Sequence, residues 1–365
     1  MKVCKEPGAG ALLMQKYLSP KLHMESFVAV FGGLGYIGSS TCVSLIEDGY
    51  KLVIIDNLSN SRIRTKKIME NVSGSEVEVE IADITDKQAL ERIFEKYNIE
   101  SVIHFAALKS VDEGQAMPDQ YYQVNIVGTI NIMDCMVKYN VKNMVYSSSA
   151  VVYGDSINKP VKETDKLQPI NVYGRTKLAG EWIISDYANA FDLRVCLLRY
   201  FNPVGSHPSH LLGDSPVKPP KNLFPNIMKS ISIGKPLNVF GIDYKTRDGS
   251  CVRDFIHVMD LADGHIAAME YLKITRETSS VFNLGSGTGT TVMEIVNTMR
   301  DVTDQVIPYE VKDRRCGDAA QVIANPDKAN ALLNWRTTAS LHEMCDSAWK
   351  FFKNTQKLSR NRSQK

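Results

Sequence analysis

The feature that most constrains the fold is an alternation, from residue 27 onward, of short aliphatic runs with longer stretches of helical spacing. The runs are rich in aliphatic side chains and bounded by glycine or polar residues, which predicts strands. They are Phe27–Phe31, Leu52–Ile55, Val77–Ile81, Val102–Phe105, Met144–Ser147 and Val195–Leu198. Helices are predicted over Ile37–Asp48, Lys87–Tyr97, Pro118–Tyr139 and Tyr173–Ala190. Such alternation is typical of βαβ units, so we predict an α/β protein with a doubly wound parallel sheet.

The bulk composition excludes several classes of protein. Of 365 residues, 44% are hydrophobic and 23% are charged, which is typical of a globular chain with a buried core. The net charge is only +2, so we expect neither a nucleic-acid nor a membrane partner. No apolar run approaches the roughly 20 residues that a membrane-spanning helix needs. The seven cysteines are scattered, without a CxxC pair, which predicts reduced thiols in a cytoplasmic protein and no metal site.

A glycine-rich turn joins the first predicted strand to the first predicted helix. Gly32, Gly35 and Gly38 give a GxxGxxG spacing, with Tyr36 and Ile37 before the last glycine. Residues without a Cβ let a pyrophosphate approach the backbone and the N–H groups at the helix N-terminus. The motif is weak alone, but it lies between a strand and a helix, as a Rossmann-type dinucleotide site requires.

Acidic residues end the next two predicted strands. Asp56, followed by Asn57, is placed to accept hydrogen bonds from the adenosine ribose and to repel a 2′-phosphate, which favours NAD over NADP. Asp83, followed by Ile84, can similarly meet the adenine amino group. Structural roles remain open for both carboxylates: a turn or helix cap at Asp56, and an N-cap before Thr85 at Asp83.

A second motif predicts proton transfer. Tyr173 and Lys177 form a YxxxK pair, and residues i and i+4 of a helix share one face. A free phenol has a pKa of about 10, but a nearby ammonium and a positive nicotinamide ring favour the phenolate. Ser149 ends a predicted strand at the sheet edge where ligands bind, so it is predicted to relay a proton beside Tyr173. The structural alternatives are two surface residues of a helix and a serine cluster that caps a strand.

Prolines become frequent after about Pro203, and their clustering predicts a loop-rich surface. We therefore predict an NAD-binding domain over residues 25–203, with 244–275 contributing to it. A smaller α/β substrate domain is predicted over residues 204–355, interleaved with the first. Residues 1–24 are predicted to be a disordered leader and residues 356–365 a polar tail.

Longer strings show a resemblance to a known family. Val102–Lys109 reads VIHFAALK, Leu198–Gly205 reads LRYFNPVG, Val252–Ala262 reads VRDFIHVMDLA and Arg314–Asp318 reads RRCGD. Together with the Ser/Tyr/Lys set and the glycine turn, these strings resemble the UDP-galactose (UDP-glucose) 4-epimerases of the extended short-chain dehydrogenase family. The resemblance covers roughly residues 27–335 and is specific, because long strings occur in the right order.

The resemblance assigns roles to matched positions. It implies Tyr173 as the base, Lys177 as its electrostatic partner and Ser149 as the hydroxyl relay. It implies a cofactor pocket that also includes Phe105, Ala106, Ala107, Lys109, Asn125, Ser147 and Tyr200. It implies a UDP-sugar site formed by Lys109, Ser149, Tyr173, Asn202, Asn222, Leu223, Asn238, Phe240, Arg253, Arg315, Asp318 and Val322. Guanidinium groups suit a diphosphate because they offer forked donors, although structural salt bridges remain the alternative for both arginines.

The implied reaction is C4 epimerisation between UDP-galactose and UDP-glucose. Tyr173 removes the proton from the sugar 4-hydroxyl while NAD accepts the C4 hydride, and the 4-keto sugar takes the hydride back on its other face. The resemblance also implies a homodimer that packs the helices at Pro118–Tyr139 and Tyr173–Ala190. Val322 stands where relatives have tyrosine or a smaller residue, so we expect space for N-acetylated UDP-sugars.

Four residues depart from the family pattern. Phe31 and Leu34 are bulkier than the usual threonine and alanine of the glycine turn, and Val151 replaces a threonine. Asp112 adds a negative charge near the pyrophosphate region unless it faces solvent. These changes leave the reaction type in place but put full activity in question.

Two other functions stay open and a third is disfavoured. A UDP-pentose 4-epimerase uses the same groups. A non-catalytic NAD-binding sensor or scaffold would not need a complete proton-transfer set. A 4,6-dehydratase would need acidic groups where Ala150 and Val151 stand, which disfavours that reaction.

Overall fold

The computed structural model describes residues 26–154, 160–220, 222–315 and 319–363. The predicted leader over 1–24 lies outside these residues. The strands are β1 Phe27–Phe31, β2 Leu52–Asp56, β3 Glu78–Ile81, β4 Ile99–His104, β5 Asn143–Ser149, β6 Arg194–Tyr200, β7 Asn202–Val204, β8 Leu237–Phe240, β9 Val252–His257, β10 Ser279–Leu284, β11 Gly289–Thr291, β12 Tyr309–Lys312 and β13 Gln321–Val322. Seven of them form a parallel sheet in the order β10-β6-β5-β4-β1-β2-β3, so the predicted doubly wound sheet is confirmed.

Helices pack on both faces of this sheet. Helices α1, α2 and α9 pack on one face, and α3, α6 and α7 pack on the other. The helices of the described residues are α1 Tyr36–Glu47, α2 Arg64–Ser73, α3 Lys87–Lys96, α4 Val111–Ala116, α5 Pro118–Tyr122, α6 Gly128–Lys138, α7 Val172–Phe191, α8 Leu223–Ile233, α9 Val258–Ile274, α10 Val292–Thr303, α11 Asp327–Leu332 and α12 Leu341–Ser363. The helix predicted over Pro118–Tyr139 is divided, because a π-helical segment at Gln123–Val127 joins α5 to α6. Residues 356–363, predicted to be a polar tail, continue α12 instead. Within the described ranges, no helix has the length and apolar character needed to cross a membrane.

Strand β1 shows why the sheet is buried on both faces. Val28 and Val30 belong to a core shared with α1, α2 and α9, whereas Ala29 and Phe31 belong to a core shared with α3, α6 and α7. Successive side chains of a strand point to opposite faces, so a run without polar residues suits a central strand covered on both sides.

The C-terminal part of the chain divides between two lobes. Strand β10 pairs with β6 at the edge of the large sheet, and α9 packs against α1. The rest forms a smaller lobe, in which β9 pairs with β7, β11 and β13, and β8 pairs with β12. Helices α8, α10 and α12 enclose the core of this lobe. The two lobes therefore share the C-terminal sequence, and the chain passes between them more than once.

Candidate active site

A cleft of about 1850 Å³ opens beyond the carboxyl ends of the parallel strands. It lies where the chain order of the sheet reverses, between β1 and β4, which is where open α/β sheets bind ligands. The predicted site residues that line it are Gly32, Gly35, Tyr36, Ile37, Gly38, Asp56, Asn57, Ile84, Phe105, Ala106, Ala107, Lys109, Ser147, Ser149, Tyr173, Lys177, Tyr200, Asn202, Asn222, Leu223, Asn238, Phe240, Arg253 and Arg315. Residues distant in the sequence thus meet along one surface.

The glycine turn is close-packed against its own backbone. Gly32 has a φ of +78°, and a Cβ there would lie 2.8 Å from the backbone nitrogen of Ala106. A Cβ on Gly38 would lie 2.5 Å from the carbonyl oxygen of Gly32. Helix α1 follows an N-cap at Gly35 that has no side-chain cap, so its first N–H groups face the cleft as anion donors.

Asp56 combines a structural contact with an open acceptor position. Its Oδ1 accepts hydrogen bonds from Leu58 N at 2.9 Å and Ser61 Oγ at 2.7 Å, and its Oδ2 accepts one from Leu34 N at 3.1 Å. A carboxylate offers about four acceptor positions, so Oδ2 keeps one for a ribose hydroxyl. The side chain both shapes the turn and faces the cleft.

Asp83 forms local hydrogen bonds just after β3, and its contact with adenine stays a prediction. Its Oδ1 accepts hydrogen bonds from the backbone and hydroxyl of Thr85 at 2.9 and 2.6 Å, and its Oδ2 accepts one from Asn57 Nδ2 at 2.7 Å. Burial opposes ionisation, but these hydrogen bonds lower the pKa of Asp83 overall. The carboxylate forms a local turn and orients Asn57, which does line the cleft.

Asn125 is misplaced by the sequence prediction. It is 1% exposed, and its amide exchanges hydrogen bonds with both backbone groups of Leu108, at 2.8 and 2.9 Å. A third hydrogen bond joins its Nδ2 to Thr176 Oγ1 at 2.9 Å. Asn125 therefore does not line the cleft but ties the loop after β4, which contains Lys109, to the beginning of α7.

The predicted proton-transfer set comes together at the start of α7. The side chain of Asn171 caps this helix by accepting a hydrogen bond from Gly174 N at 2.8 Å. Tyr173 lies in the first turn, and its phenol is hydrogen-bonded to Ser149. One turn later, Lys177 Nζ donates to the carbonyl oxygen of Ser147 at 2.6 Å. The side chains of Tyr173 and Lys177 thus both contact residues at the end of β5.

The pKa values of Tyr173 and Lys177 both reflect their burial. Burial raises the pKa of Tyr173, and the hydrogen bond with Ser149 only partly offsets that effect. Burial also lowers the pKa of Lys177 to about 7, although Glu181 raises it. The side chains of the protein therefore do not produce a phenolate near neutrality by themselves. A further positive charge beside the phenol is needed.

The side of the cleft where the resemblance predicts the UDP-sugar is built mostly from the smaller lobe. Asn202 and Asn222 are exposed to it, Leu223 opens α8, and Asn238 and Phe240 lie on β8.

Two arginines complete this side of the cleft. Arg253 donates to the carbonyl oxygens of Val252 and Ala319 at 2.9 and 2.8 Å, and the guanidinium of Arg315 lies 3.7 Å from the centre of the Phe240 ring. Asp318 lies outside the described residues.

Val322 belongs to β13, which pairs with β9 and places its backbone beside Arg253. Its side chain is partly buried in a small cluster with Tyr153, Phe201 and Ala324. Phe201 of this cluster lines the cleft, and the contact of Val322 with the sugar stays a prediction.

The family departures are accommodated in different ways. Phe31 is fully buried and stacks on Phe94, 6.4 Å between ring centres, so it does not reach the cleft. Leu34 lines the cleft, and Val151 packs towards Gly174 at the start of α7. Asp112 is exposed in the first turn of α4 and also lines the cleft, so its negative charge faces both solvent and the site.

Sequence reasoning missed the cations of the cleft. Among the described residues, ten lysines and arginines line it against three aspartates, although the whole chain has a net charge of only +2. Those not predicted are Arg62, Arg64, Lys67, Lys218, Lys229 and Lys235. Such an excess attracts anionic ligands. The sequence did not indicate this positive charge, because the residues are dispersed over loops and helices rather than clustered along the chain.

A segment over residues 205–220 crosses the mouth of the cleft. Tyr36 Oη donates to the carbonyl oxygen of Gly205 at 2.8 Å, and Arg62 Nη1 donates to that of Ser215 at 3.1 Å. Lys218 adds an ion pair with Glu113 at 3.8 Å. These contacts join the two lobes on the side where the glycine turn lies.

No group of three or more candidate metal ligands occurs among the residues that the structure describes.

Comparison with known proteins points to enzymes that act on sugar nucleotides. Residues 29–348 match the family model described as GDP-mannose 4,6 dehydratase. The UDP-glucose 4-epimerase of Schizosaccharomyces pombe is 46% identical over 334 residues, which cover 90% of this chain and 94% of the relative. That of Dictyostelium discoideum is also 46% identical, over 89% of this chain and 95% of the relative.

A solved structure agrees with these relatives. The UDP-glucose 4-epimerase of Stenotrophomonas maltophila, with bound NAD and formylated UDP-arabinopyranose, has a TM-score of 0.88 and 39% identity to this chain. The match covers 92% of this chain and 100% of that one.

Proposed function

The chain belongs to the UDP-glucose 4-epimerase family, and we propose that it interconverts UDP-galactose and UDP-glucose by epimerisation at C4, with NAD as its cofactor. The matching family model is described as a dehydratase, but Ala150 and Val151 provide no acid after the catalytic serine. The observation that favours the epimerase most is the convergence of Ser149, Tyr173 and Lys177 at the end of β5, inside a cleft lined by the glycine turn.

The chain offers a fitting site for NAD. Gly32, Gly35 and Gly38 leave room for a pyrophosphate beside the N-terminus of α1, and Asp56 keeps an acceptor for the ribose. Lys177 would hold the nicotinamide ribose and Tyr200 would line the ring site. When bound, NAD would supply the hydride acceptor for sugar C4 and a positive ring beside the phenol.

We propose that Tyr173 takes the proton from the 4-hydroxyl of the sugar and later returns it. Ser149, hydrogen-bonded to the phenol, orients that proton path, and Lys177 contributes positive charge one helical turn away. Arg253 and Arg315 would hold the diphosphate, so that the sugar can present either face while its anchor stays fixed.

A coupled assay tests this function directly. UDP-galactose is supplied to the purified protein, and UDP-glucose is detected through UDP-glucose dehydrogenase. Conversion supports the epimerase. Absence of conversion, with NAD bound and the protein folded, would favour a non-catalytic NAD-binding sensor.

A UDP-pentose activity is the second candidate. A relative in Arabidopsis thaliana, 43% identical over 89% of this chain, is named as a bifunctional UDP-glucose and UDP-xylose 4-epimerase. Chromatographic separation of each C4-epimer pair, after incubation with UDP-xylose or UDP-N-acetylglucosamine, measures the preference among sugars. Turnover of UDP-N-acetylglucosamine tests the prediction that Val322 leaves space for N-acetylated sugars.

Arg315→Ala is expected to raise the KM for UDP-galactose about tenfold and to change kcat little, because a charged hydrogen bond to a diphosphate contributes about 1.5–3 kcal/mol to binding. The neighbouring Arg314 provides a matched control. It is paired with Asp243 at 2.8 Å and does not line the cleft. Steady-state kinetics of Arg314→Ala should resemble wild type. Equal effects of the two variants would argue against the diphosphate role of Arg315.

We also propose a homodimer formed through α5–α7. Tyr122, Val127 and Trp182 lie on these packed elements and are 43%, 37% and 61% exposed. Exposed apolar side chains grouped on one face are typical of protein interfaces.

Trp182→Arg is expected to convert the dimer into a monomer in sedimentation equilibrium, because it places a charge in an apolar interface. Ile274→Arg is the control, since Ile274 is 80% exposed on α9, which packs on the opposite face of the sheet. A Trp182→Arg variant that sediments as a dimer would contradict this interface.

For location we propose the cytoplasm. The cysteines among the described residues are free thiols, and four of the five are buried. Buried, unpaired thiols suit a reducing compartment.

A further inference from the structure

The serines at the end of β5 contact α7 in a regular series. Ser149 is hydrogen-bonded to Tyr173, and the carbonyl oxygen of Ser147 accepts a hydrogen bond from Lys177. Positions four apart on a helix lie along one face, so the series continues to the side chain one turn after Lys177. The proposed reaction uses the first two contacts and leaves the third without a role.

That third side chain is Glu181. Its carboxylate accepts a hydrogen bond from Ser148 Oγ and forms a bidentate pair with Arg199, with Nε–Oε1 at 3.0 Å and Nη2–Oε2 at 2.7 Å. Glu181 and Arg199 are each 3% exposed. A buried carboxylate remains ionised only when it is paired and hydrogen-bonded, and both conditions are met here.

Arg199 is also held by groups other than Glu181. Its Nη1 donates to Tyr153 Oη at 2.9 Å and to the carbonyl oxygen of Glu163 at 3.2 Å. Tyr153 Oη in turn donates to Asn283 Oδ1 at 2.7 Å. The guanidinium is therefore fixed between β6, the turn after β5 and β10, and it cannot leave Glu181 without breaking several contacts.

We propose that Glu181, held by Arg199, is a positioning residue for the epimerase reaction: it fixes α7 against the serine strand and sustains the positive charge on Lys177. This inference rests on the proposed function. Glu181 touches neither the substrate nor the reacting atoms and acts through Lys177.

The charge of Lys177 depends on Glu181, because the other groups beside the ammonium are neutral. The Tyr146 ring lies 4.8 Å below Nζ, and His104 on β4 is neutral near pH 7 because burial and the charge of Lys177 lower its pKa to about 3. Tyr173 is neutral as well, since burial raises its pKa. Among the described residues that face Lys177, Glu181 therefore supplies the negative charge. Removing that charge lowers the pKa of Lys177, so the ammonium is lost at a lower pH.

The test compares pH profiles of kcat for wild type and Glu181→Gln. The alkaline limb of the variant is expected about one pH unit lower, with kcat near pH 8 reduced about tenfold and KM for UDP-galactose nearly unchanged. Tyr153→Phe is the matched control, because it removes one contact of Arg199 and leaves the Glu181 charge in place. Its alkaline limb should coincide with that of wild type.

A second variant covers the case in which Glu181→Gln does not fold. Glu181→Gln combined with Arg199→Met removes both charges and leaves no uncompensated buried ion, so stability is largely kept. We expect an acid shift of the alkaline limb here too, smaller than in Glu181→Gln because the positive charge of Arg199 is lost as well.

Lys177 is also titrated directly, by competitive labelling with acetic anhydride and peptide mass spectrometry. Its midpoint is expected to be lower in either Glu181 variant. A wild type without epimerase activity would overturn the proposed function and leave this titration as the test of Glu181. An active wild type, with limb and midpoint unchanged in the variants, would overturn the inference alone.

Discussion

Tyr173→Phe is expected to lower kcat about a thousandfold, because general acid–base groups contribute about 10²–10⁴-fold and the substitution removes only the phenolic oxygen. The ring still fills its place beside the cleft, and the lost hydrogen bond is the one with Ser149. The variant should therefore unfold at nearly the same temperature as wild type and keep its affinity for UDP. The coupled epimerase assay and thermal unfolding measure the two effects.

The control for this prediction is Tyr187→Phe. Tyr187 lies on the same helix, and its hydroxyl donates to Asp134 Oδ1 at 2.7 Å, away from the cleft. Loss of that hydroxyl should leave kcat unchanged. If Tyr173→Phe retained a tenth or more of the wild-type kcat, the phenol would not be the proton-transfer group.

Gly38→Ala is expected to weaken NAD binding by about 10- to 100-fold. The added Cβ would lie 2.5 Å from Gly32 O and 2.8 Å from Gly33 Cα, so the turn must open. Overpacking of this kind costs about 1–3 kcal/mol, and here the displaced atoms are backbone groups at the pyrophosphate site. The cofactor content of the purified protein and titration calorimetry with NAD both measure the change.

Gly74→Ala separates this effect from a general loss of stability. Gly74 ends α2 with a φ of +71°, and an added Cβ would meet no atom within 4 Å. The variant bears only local backbone strain, so its NAD content should match wild type. Equal loss of NAD in both variants would show that the glycine turn has no special part in binding.

Local sequence patterns predicted the sheet and the glycine turn because both depend on neighbours in the chain. The strand at Phe27–Phe31 and the turn that follows it are found where the prediction placed them. Asn125 was misplaced because the direction of a side chain depends on how distant elements pack. Asn125 belongs to the π-helical segment, and its amide bonds to the backbone of Leu108.

The electrostatics were harder to predict than the geometry. The spacing of Tyr173 and Lys177 correctly indicated that both side chains face the cleft. It gave no information on how strongly burial disfavours their charged forms, which depends on the surrounding elements. The local sequence around Glu181 likewise did not indicate its pairing with Arg199, because that contact depends on how β6 packs against α7.

The return of the chain to the large sheet has a consequence for how the protein folds. Without β10 and α9, the strand β6 would be an open edge and one face of α1 would be exposed. Residues before Val204 therefore lack part of their own covering surface, and we expect the two lobes to unfold together. A destabilising substitution in either lobe would deplete the whole molecule in the cell rather than impair one ligand site.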